Sequence, residues 1–427
     1  MTTAPASLPL VARTVPLPDP GPLLELLPAR AALAWVRRGE GLVGWGQAAR
    51  ISTTGPDRFA AAQRAWSQMV AHSVVRDEVR LPGTGPVAFG SFAFSPDSPA
   101  GGVLVVPEVL VGHRNGTWWL TTIGAGGVLP PIRHVGPADP PAPEAPGEVV
   151  FSDGARSTSE WTRVVAGAIA RIGAAHVEKV VLARDLRATA TEPIDPRRLL
   201  TRLAERYPGC WTFSVDGLLG ATPEMLVKLE RGLVTSRVLA GTIRRSQDDA
   251  HDLALAASLA RSSKDLEEHE YAVRSVAEAL APYCATANVP ESPFVLHLAN
   301  VMHLATDVTA ALAEGSTSAP AAASLELAAA LHPSAAVCGT PTKAAAALID
   351  EVEGMDRDRY AGPVGWLDAS GDGEWGIALR CARQDPADPR SLRLFAGCGI
   401  VAGSDPEAEL AESNAKLLPI REALGTL

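Results

Sequence analysis

The chain has 427 residues, of which 47% are hydrophobic and 20% are charged, so it can bury a large core and is not generally disordered. Its formal net charge of -10, without a basic cluster interleaved with aromatic residues, argues against nucleic acid as a partner. The five cysteines are scattered and lack CxxC spacing, which indicates neither a disulfide framework nor a zinc site and fits a reducing cytoplasm best.

The first part of the chain predicts strands and one helix. Residues 58–72 have the periodicity of an amphipathic helix, and the runs that begin at Val87, Val103 and Trp118 indicate strands with turns between them. The N-terminus has no basic region ahead of an apolar core, and no later stretch approaches the length of a membrane span. We therefore expect neither secretion nor membrane insertion.

Residues 130–148 are rich in proline and can sustain neither a helix nor a central strand. We expect a surface connector here, between an N-terminal part at residues 1–129 and a catalytic region at residues 149–427. Downstream, helices are predicted at 159–172, 197–206 and within 248–283, and strands at 179–184, 210–215, 217–219, 225–229, 364–368, 374–381 and 392–396. Long helices between hairpin-connected strands indicate an α+β fold without repeats and without a Rossmann glycine fingerprint.

Lysine is rare, because only five of the 38 basic residues are lysine. Lys179 opens the apolar run Lys-Val-Val-Leu-Ala-Arg, which reads as a buried strand, and a lysine at such a position can point into a site. Unlike arginine, a buried lysine can lose its proton and act as a base. A solvated lysine at a strand end is the alternative.

Two glutamates occupy positions where a carboxylate can serve chemistry. Glu224 follows a proline that ends strand pairing, so it can project into a cleft, although a turn glutamate in solvent is equally compatible with the pattern. Glu268 lies in the first turns of a helix that the spacing of Ser262 and Asp265 would cap. Most acidic first turns only complement the helix dipole.

Two further segments can bind anions. The run Leu-Ala-Gly-Thr offers the backbone N–H groups of Gly241 and Thr242, with a tight turn as the alternative. Arg380 is predicted on an apolar strand, where it needs a carboxylate partner from the protein or from a substrate.

Residues 396–416 combine a glycine-rich turn with the start of an acidic helix, for which Ser404 and Glu407 have capping-box spacing. The glycines that leave the backbone open to a bound group are Gly397, Gly399 and Gly403. Three charged residues fall on one helical face: Glu409, Glu412 and Lys416. An ordinary Glu–Lys pair on a surface helix is the alternative.

Seven motifs, in this order, resemble the chorismate-utilising enzymes and, within them, the isochorismate synthases. They are Lys-Val-Val-Leu-Ala-Arg, Ala-Thr-Pro-Glu, Leu-Ala-Gly-Thr, Lys-Asp-Leu-Glu-Glu-His, His-Pro-Ser-Ala-Ala-Val-Cys-Gly-Thr-Pro, Tyr-Ala-Gly-Pro-Val-Gly and Ala-Gly-Cys-Gly-Ile-Val-Ala-Gly-Ser-Asp-Pro-Glu-Ala-Glu-Leu-Ala-Glu. The resemblance implies one large α+β unit of two stacked antiparallel sheets flanked by helices, with a central cleft. The proline-rich connector would then be a surface loop within that fold.

The resemblance also implies roles for individual residues. Mg²⁺ would be held by Glu268 and Glu412, with Glu409 as a helper, and would bind the ring carboxylate of chorismate. Residues expected around the substrate are Gly241, Thr242 and Lys416 at the ring carboxylate, Tyr360, Arg380, Gly397 and Gly399 at the enolpyruvyl carboxylate, and His303 and Ala336 on the pocket wall.

The expected reaction moves a hydroxyl group from C4 to C2 of the ring, with Lys179 as the base that activates water and Glu224 as the acid. The lysine separates this chain from relatives that use ammonia, so we expect no amidotransferase subunit. The family resemblance favours a monomer. Salicylate synthase, which goes on to eliminate pyruvate, is the alternative, but Ala336 stands where that enzyme has threonine. A catalytically silent chorismate-binding protein would need none of these groups. In this family isochorismate serves menaquinone or siderophore synthesis.

Overall fold

The computed structural model describes residues 9–126, 128–131, 135, 143–172, 177–246, 248–297, 301–315 and 322–425. Four of these residues are described by their backbone alone: Thr242, Arg244, Lys264 and Glu268. Part of the predicted connector, at 132–134 and 136–142, lies outside the described residues.

Strands and helices of the described chain follow the α+β pattern. The strands are β1 Leu10–Pro16, β2 Leu33–Arg37, β3 Glu40–Trp45, β4 Ala49–Thr53, β5 Val74–Asp77, β6 Val87–Phe92, β7 Gly102–Val106, β8 Val109–Arg114, β9 Thr117–Ala125, β10 Val149–Asp153, β11 Lys179–Ala190, β12 Trp211–Val215, β13 Leu218–Thr222, β14 Met225–Glu230, β15 Leu233–Arg244, β16 Cys284–Asn288, β17 Phe294–His297, β18 Val301–Leu312, β19 Gly339–Thr340, β20 Pro363–Asp368, β21 Gly373–Ile377, β22 Cys381–Gln384 and β23 Ser391–Val401. The helices are α1 Arg58–Ala71, α2 Thr158–Arg171, α3 Pro196–Arg206, α4 Asp249–Leu259, α5 Ser263–Leu280, α6 Ser324–Ala330, α7 Thr342–Val352 and α8 Pro406–Leu424.

The strands form two large sheets. The first has the order β10-β11-β23-β22-β13-β12-β2-β3-β8-β9-β1-β5, with β19 paired to β11. The second has the order β16-β18-β15-β14-β21-β20-β6-β7-β4, with β17 paired to β18. Among the described strand pairs, β1 with β5 alone is parallel. The two antiparallel sheets predicted from the family resemblance are therefore confirmed.

Strands from before and after the connector complete the same sheets. The N-terminal part joins the first sheet through the pairing of β2 with β12 and the second sheet through the pairing of β6 with β20. Neither sheet is therefore built from one side of the connector alone.

The main core lies between the two sheets. Trp35 and Phe213 of the first sheet are buried in one cluster with Phe89, Trp366 and Trp375 of the second. Burying aromatic side chains of this size supplies much of the hydrophobic stabilisation of such an interface.

Helices cover the outer faces. Alternate residues of β2 show the arrangement, since Trp35 faces the second sheet, whereas Ala34 and Val36 share a second core with Leu200 of α3 and Leu417 of α8. On the second sheet, α5 packs against β15 and β18. None of the helices that the structure describes combines the length and the apolarity needed to cross a membrane.

Two of the places where the chain passes from one sheet to the other lie side by side. Pro223 and Glu224 lead from β13 in the first sheet to β14 in the second, and residues 378–380 lead from β21 back to β22. The two crossings are hydrogen-bonded side by side: the Ile377 N–H donates to the Glu224 carbonyl at 3.1 Å, and the Ala221 N–H donates to the Arg380 carbonyl at 3.2 Å. Glu224 and Arg380 thus stand together between the sheets.

Several predictions about local structure differ from the observed backbone. The strand predicted over 374–381 ends at Ile377, and Arg380 lies on a bend with a φ of 48°, not on a strand. The glycine-rich turn predicted with Gly397, Gly399 and Gly403 begins only after Val401, because Gly397 and Gly399 belong to β23, which pairs with β11 through Val401. Gly403 does lie in a turn. Gly241 forms a bulge inside β15 and not a tight turn, because the pairing with β18 shifts register between Ala240 and Thr242.

One buried ion pair joins the parts of the fold around the cleft. Arg357 donates to Glu353 at 2.6 and 2.7 Å, and the two side chains are 3% and 2% exposed. Arg357 also donates to the carbonyls of Val337 and Val181 at 2.9 and 2.6 Å, while the Ala183 N–H donates to Glu353 at 2.7 Å. The pair therefore fastens β11 and the turn before β19 to the end of α7.

We predict that Arg357→Leu destabilises the protein by about 3–5 kcal/mol in urea denaturation, because it leaves the Glu353 carboxylate buried without its counter-ion. Arg274→Leu is the matched control, since it breaks an exposed pair with Glu270 in which the side chains are 56% and 70% exposed. This control should cost no more than about 1 kcal/mol. Equal costs for the two substitutions would contradict a structural role for the buried pair.

Candidate active site

A cavity of about 780 Å³ opens where the two crossings meet the start of α8. Twelve of the predicted site residues line it: Lys179, Glu224, Gly241, His303, Ala336, Tyr360, Arg380, Gly397, Gly399, Glu409, Glu412 and Lys416. For the other two, Thr242 and Glu268, the structure describes only the backbone, in β15 and α5 respectively.

Lys179 is the first residue of β11, and its side chain runs across the neighbouring strand β23. A Cβ atom placed on Gly399 would lie 2.7 Å from the Lys179 Cε atom and 3.4 Å from Nζ. Any larger residue at 399 would therefore displace the lysine. The Nζ atom makes no hydrogen bond or ion pair with the residues that the structure describes, so Lys179 has no structural contact with them through its amine.

Glu224 is held by its backbone at the first crossing. Its N–H donates to the Thr222 hydroxyl at 3.2 Å, and its carbonyl accepts from Ile377. Burial raises the pKa of the Glu224 carboxyl from 4.5 to about 7, although the nearby charges of Arg380, Lys179 and Lys416 act in the opposite direction. A large fraction of Glu224 consequently keeps its proton near neutral pH.

Arg380 supplies a cation at the second crossing. Its φ of 48° is in the left-handed region, which turns the chain from one sheet to the other. The guanidinium group forms no hydrogen bond or ion pair within the described part of the chain. It is close enough to lower the pKa of both Glu224 and His303. The site therefore holds a positive charge whose carboxylate partner a ligand can supply.

His303 of β18 lies beside the bulge of β15. Burial, followed by the charges of Arg380 and Lys416, lowers the pKa of His303 to about 4, so the imidazole is neutral at pH 7. It is hydrogen-bonded to the backbone of Gly241. Gly241 has a φ of 77° and no partner in the pairing with β18, and a Cβ there would lie 3.2 Å from that of Asp265. A glycine is required at this bulge.

Tyr360 and Gly397 form a second wall. The tyrosine ring stacks on Phe395 with ring centroids 5.2 Å apart, and burial raises the pKa of its hydroxyl well above the usual value. A Cβ on Gly397 would lie 3.1 Å from the Tyr360 hydroxyl oxygen. Since β22 pairs with β23 only as far as Leu394, the backbone of Gly397 and Gly399 is open on that side of the strand. The hydroxyl and this backbone, apart from the Gly397 carbonyl that accepts from Lys416, are available to a ligand.

The helix α8 contributes charge from one face, as predicted. Lys416 Nζ donates to the Gly397 carbonyl at 2.8 Å and forms an ion pair with Glu412 at 2.6 Å. In Glu412, burial tends to raise the carboxyl pKa, but Lys416, Arg380 and Lys179 outweigh it and lower that pKa. Glu412 is therefore ionised at neutral pH.

The predicted capping box at the start of α8 is wrong. Asp405 is the N-cap residue, and its side chain accepts from the Ala408 N–H at 2.8 Å. Ser404 instead donates to Glu409 Oε1 at 2.7 Å. The serine therefore orients the Glu409 carboxylate at the cavity instead of capping the N-terminus of the helix.

The oxygen donors near the start of α8 fit a hard cation. Glu409 Oε2 is buried and has no hydrogen-bond partner among the described residues. Ligand atoms of Cys398, Glu409 and Glu412 all lie within 4.8 Å of one another. Burial raises the pKa of the Cys398 thiol to about 12, which keeps it protonated, so the carboxylates are the donors at neutral pH. Carboxylate oxygens are what Mg²⁺ prefers.

Asp265 and Arg357 are among the cavity-wall residues for which the sequence predicted no ligand-facing position. Asp265 faces the cavity next to Gly241, while its N–H is capped by Ser262 as predicted. Arg357 also reaches the wall, although its guanidinium is occupied by Glu353 and backbone carbonyls. The spacing of Ser262 and Asp265 predicted a helix start, but no local pattern predicted that β15 would lie next to Asp265.

A family model for chorismate binding enzymes matches residues 28–125 and 135–425. The chain belongs to the chorismate binding enzyme family. This confirms the resemblance that the seven motifs indicate.

Named relatives and a solved structure agree with this assignment. Isochorismate synthase DhbC of Bacillus subtilis is 44% identical over 268 residues, which are 60% of this chain and 65% of DhbC, a little under two thirds of that relative. The putative isochorismate synthase MenF of Mycobacterium tuberculosis is 39% identical over 357 residues, 80% of this chain and 87% of MenF. The crystal structure of a putative 2,3-dihydroxybenzoate-specific isochorismate synthase, DhbC, from Bacillus anthracis has a TM-score of 0.76 at 32% identity, covering 95% of this chain and 99% of that chain.

The raised pKa of Glu224 has a consequence for stability. The pKa of Glu224 is higher in the folded than in the unfolded protein. Its contribution to the free energy of unfolding is therefore fully present below the unfolded pKa and is lost as the pH rises through the folded pKa of about 7. We predict that the unfolding free energy of the wild type, relative to Glu224→Gln, falls by on the order of 1–3 kcal/mol between about pH 5 and pH 8.

Urea denaturation at several pH values measures this difference. Glu230→Gln is the control, since Lys228 and Arg114 outweigh burial there and lower the carboxyl pKa, so its difference should stay flat in this window. A flat curve for Glu224→Gln as well would show that Glu224 is not protonated in the folded protein.

Proposed function

We propose that this protein is an isochorismate synthase that isomerises chorismate to isochorismate. The observation that carries the proposal is that Lys179 and Glu224, whose carboxyl pKa is raised by burial to about 7, line one cavity together with Arg380, which has no ion pair with a described residue. The names of the relatives support the same activity.

Chorismate carries two carboxylates, and the cavity offers two sets of groups for them. Arg380, the Tyr360 hydroxyl and the open backbone of Gly397 would hold the enolpyruvyl carboxylate. Lys416 and Gly241 would lie at the ring carboxylate. Charge-assisted hydrogen bonds of this kind bind more strongly than neutral ones and fix the orientation of the ring.

The chemistry then needs one base and one acid. Lys179, as a neutral amine, takes a proton from water as its oxygen bonds to C2 of the ring. The double bonds shift, the C4–O bond breaks, and Glu224 gives its proton to the departing oxygen, which leaves as water. The atoms balance as an isomerisation. Proton transfer between the two groups through solvent restores their starting states.

We further propose that Glu268 and Glu412 hold Mg²⁺, assisted by Glu409. When bound, the metal would neutralise charge at the ring carboxylate. The ionised Glu412 and the unpaired Oε2 atom of Glu409 support a hard cation here. We also propose that the protein acts in the cytoplasm as a monomer, without an amidotransferase subunit, and that residues 130–148 form a surface loop of a single fold.

Turnover of chorismate with Mg²⁺, followed by chromatography of the products, tests the proposed function. Isochorismate is the expected product. Salicylate with pyruvate would indicate salicylate synthase, and unchanged chorismate bound to the protein would indicate a silent binding protein.

We predict that Lys179→Ala lowers kcat by at least about a hundredfold while the fold is retained, because the amine serves chemistry and makes no bond to the described residues. Lys179→Arg should fail equally, since arginine does not release its proton. Lys343→Ala, on the exposed face of α7, is the matched control and should keep wild-type kcat. Substantial activity in either Lys179 variant would remove the lysine from the mechanism.

Product choice is expected to depend on Ala336, which lines the cavity on the turn fastened by Arg357. A small side chain leaves room at C2 for the attacking water. We predict that Ala336→Thr lowers isochorismate formation several-fold and permits some salicylate to form, as measured by product chromatography. Ala335→Thr, one residue away and not on the cavity wall, should leave the product ratio unchanged. Equal effects of the two substitutions would refute the assignment.

A further inference from the structure

Arg184 is a buried arginine on the strand that carries Lys179, and it contacts α8. The residue is 5% exposed. Its Nη1 atom donates to the Ser413 hydroxyl at 3.2 Å and to the Asn414 side-chain oxygen at 3.3 Å. The guanidinium carbon lies 5.9 Å from the ring centroid of Trp161. The two contacted residues directly follow Glu412 in the helix.

Stability alone does not account for this arginine. Burial lowers the pKa of Arg184, which means that the surroundings disfavour its charge, although Asp153 and Asp185 compensate in part. Its hydrogen bonds to described residues go to neutral oxygens and not to a carboxylate. An apolar side chain of similar length would fill the same space without the desolvation cost of a cation.

The contact does fix one geometric relation. β11 holds Lys179 at one end and pairs with β23 at Gly397 and Gly399. The helix α8 holds Glu412 and Lys416. Arg184 connects β11 to α8 on the side of the helix next to Glu412. Among the described residues, the polar contacts between this part of α8 and β23 are those of Lys416 with Gly397 and of Cys398 with the Glu409 carbonyl. A shift of α8 by one hydrogen-bond length would move Glu412 relative to Lys179.

We propose that Arg184 is a positioning residue that fixes the first half of α8 on β11, so that Glu412 and Lys416 face the cavity. It touches neither substrate nor metal in this assignment. That it thereby sets Mg²⁺ affinity rests on the proposed function, whereas the immobilisation of α8 does not.

The test uses Arg184→Met, which keeps the length of the side chain and removes the charge and the donors. Arg187→Met, exposed on the same strand, is the matched control. We expect amide hydrogen exchange of residues 409–416, followed by mass spectrometry, to accelerate at least about tenfold in Arg184→Met, with a melting temperature equal to or above that of the wild type. The Mg²⁺ dissociation constant measured by calorimetry should rise by roughly 10–100-fold, and Arg184→Lys should restore part of it.

A second variant covers the case in which Arg184→Met does not fold. The double substitution Ser413→Ala with Asn414→Ala removes the acceptors, keeps Arg184, and should give the same local acceleration of exchange. Unchanged exchange at 409–416 in a folded variant would overturn the proposal, as would exchange that accelerates equally throughout the protein. A wild type that forms no isochorismate would refute the proposed function, while the exchange measurement would still decide the role of Arg184.

Discussion

The two neighbouring crossings between the sheets are the constraint on which the site depends. Here the chain leaves one sheet for the other twice, side by side, and the two crossings are tied through the carbonyls of Glu224 and Arg380. The approach is close: a Cβ on Gly220 would lie 2.6 Å from the Arg380 carbonyl oxygen, and one on Gly376 would lie 2.9 Å from that of Glu224. Glycines at both positions therefore allow the two crossings to approach closely, so that Glu224 and Arg380 lie together between the sheets.

Burial and charge compete in this gap, and their relative sizes decide each protonation state. Glu224 and Glu412 both lose hydration on burial, which raises the carboxyl pKa of each. For Glu224 this effect exceeds the attraction of Arg380, Lys179 and Lys416, so the carboxyl pKa rises to about 7 and a large fraction stays protonated near neutral pH. For Glu412 a direct ion pair with Lys416 tips the balance the other way. The same cations thus leave a large fraction of Glu224 protonated and Glu412 ionised, which is the division that an acid and a metal ligand require.

Local sequence patterns predicted the groups of this site better than the backbone that carries them. A lysine opening an apolar run and a glutamate after a strand-ending proline are local signals, and Lys179 and Glu224 both line the cavity. The position of Arg380 was not predictable in this way, because its left-handed φ arises from the neighbouring crossing and not from its own sequence. Gly241 was ambiguous for a similar reason: a glycine with positive φ suits a turn and a bulge alike, and pairing with β18, about sixty residues later in the chain, decides between them.

Arg380 and Lys179 do not hold the walls of the cavity in place, so other contacts of the fold must do so. Arg380 and Lys179 have no carboxylate partner among the described residues, so ion pairs with these residues do not hold the cavity together. Its walls are instead fixed from behind, by the Glu353–Arg357 pair under β11 and by hydrogen bonds of His269 to Ala240 and Thr306 under the bulge of β15. Arg380 therefore has no ion pair with a described residue, whereas Lys416 is already paired with Glu412. A ligand carboxylate at Arg380 then gains the full interaction with a preorganised cation, because no ion pair of Arg380 with a described residue has to break first.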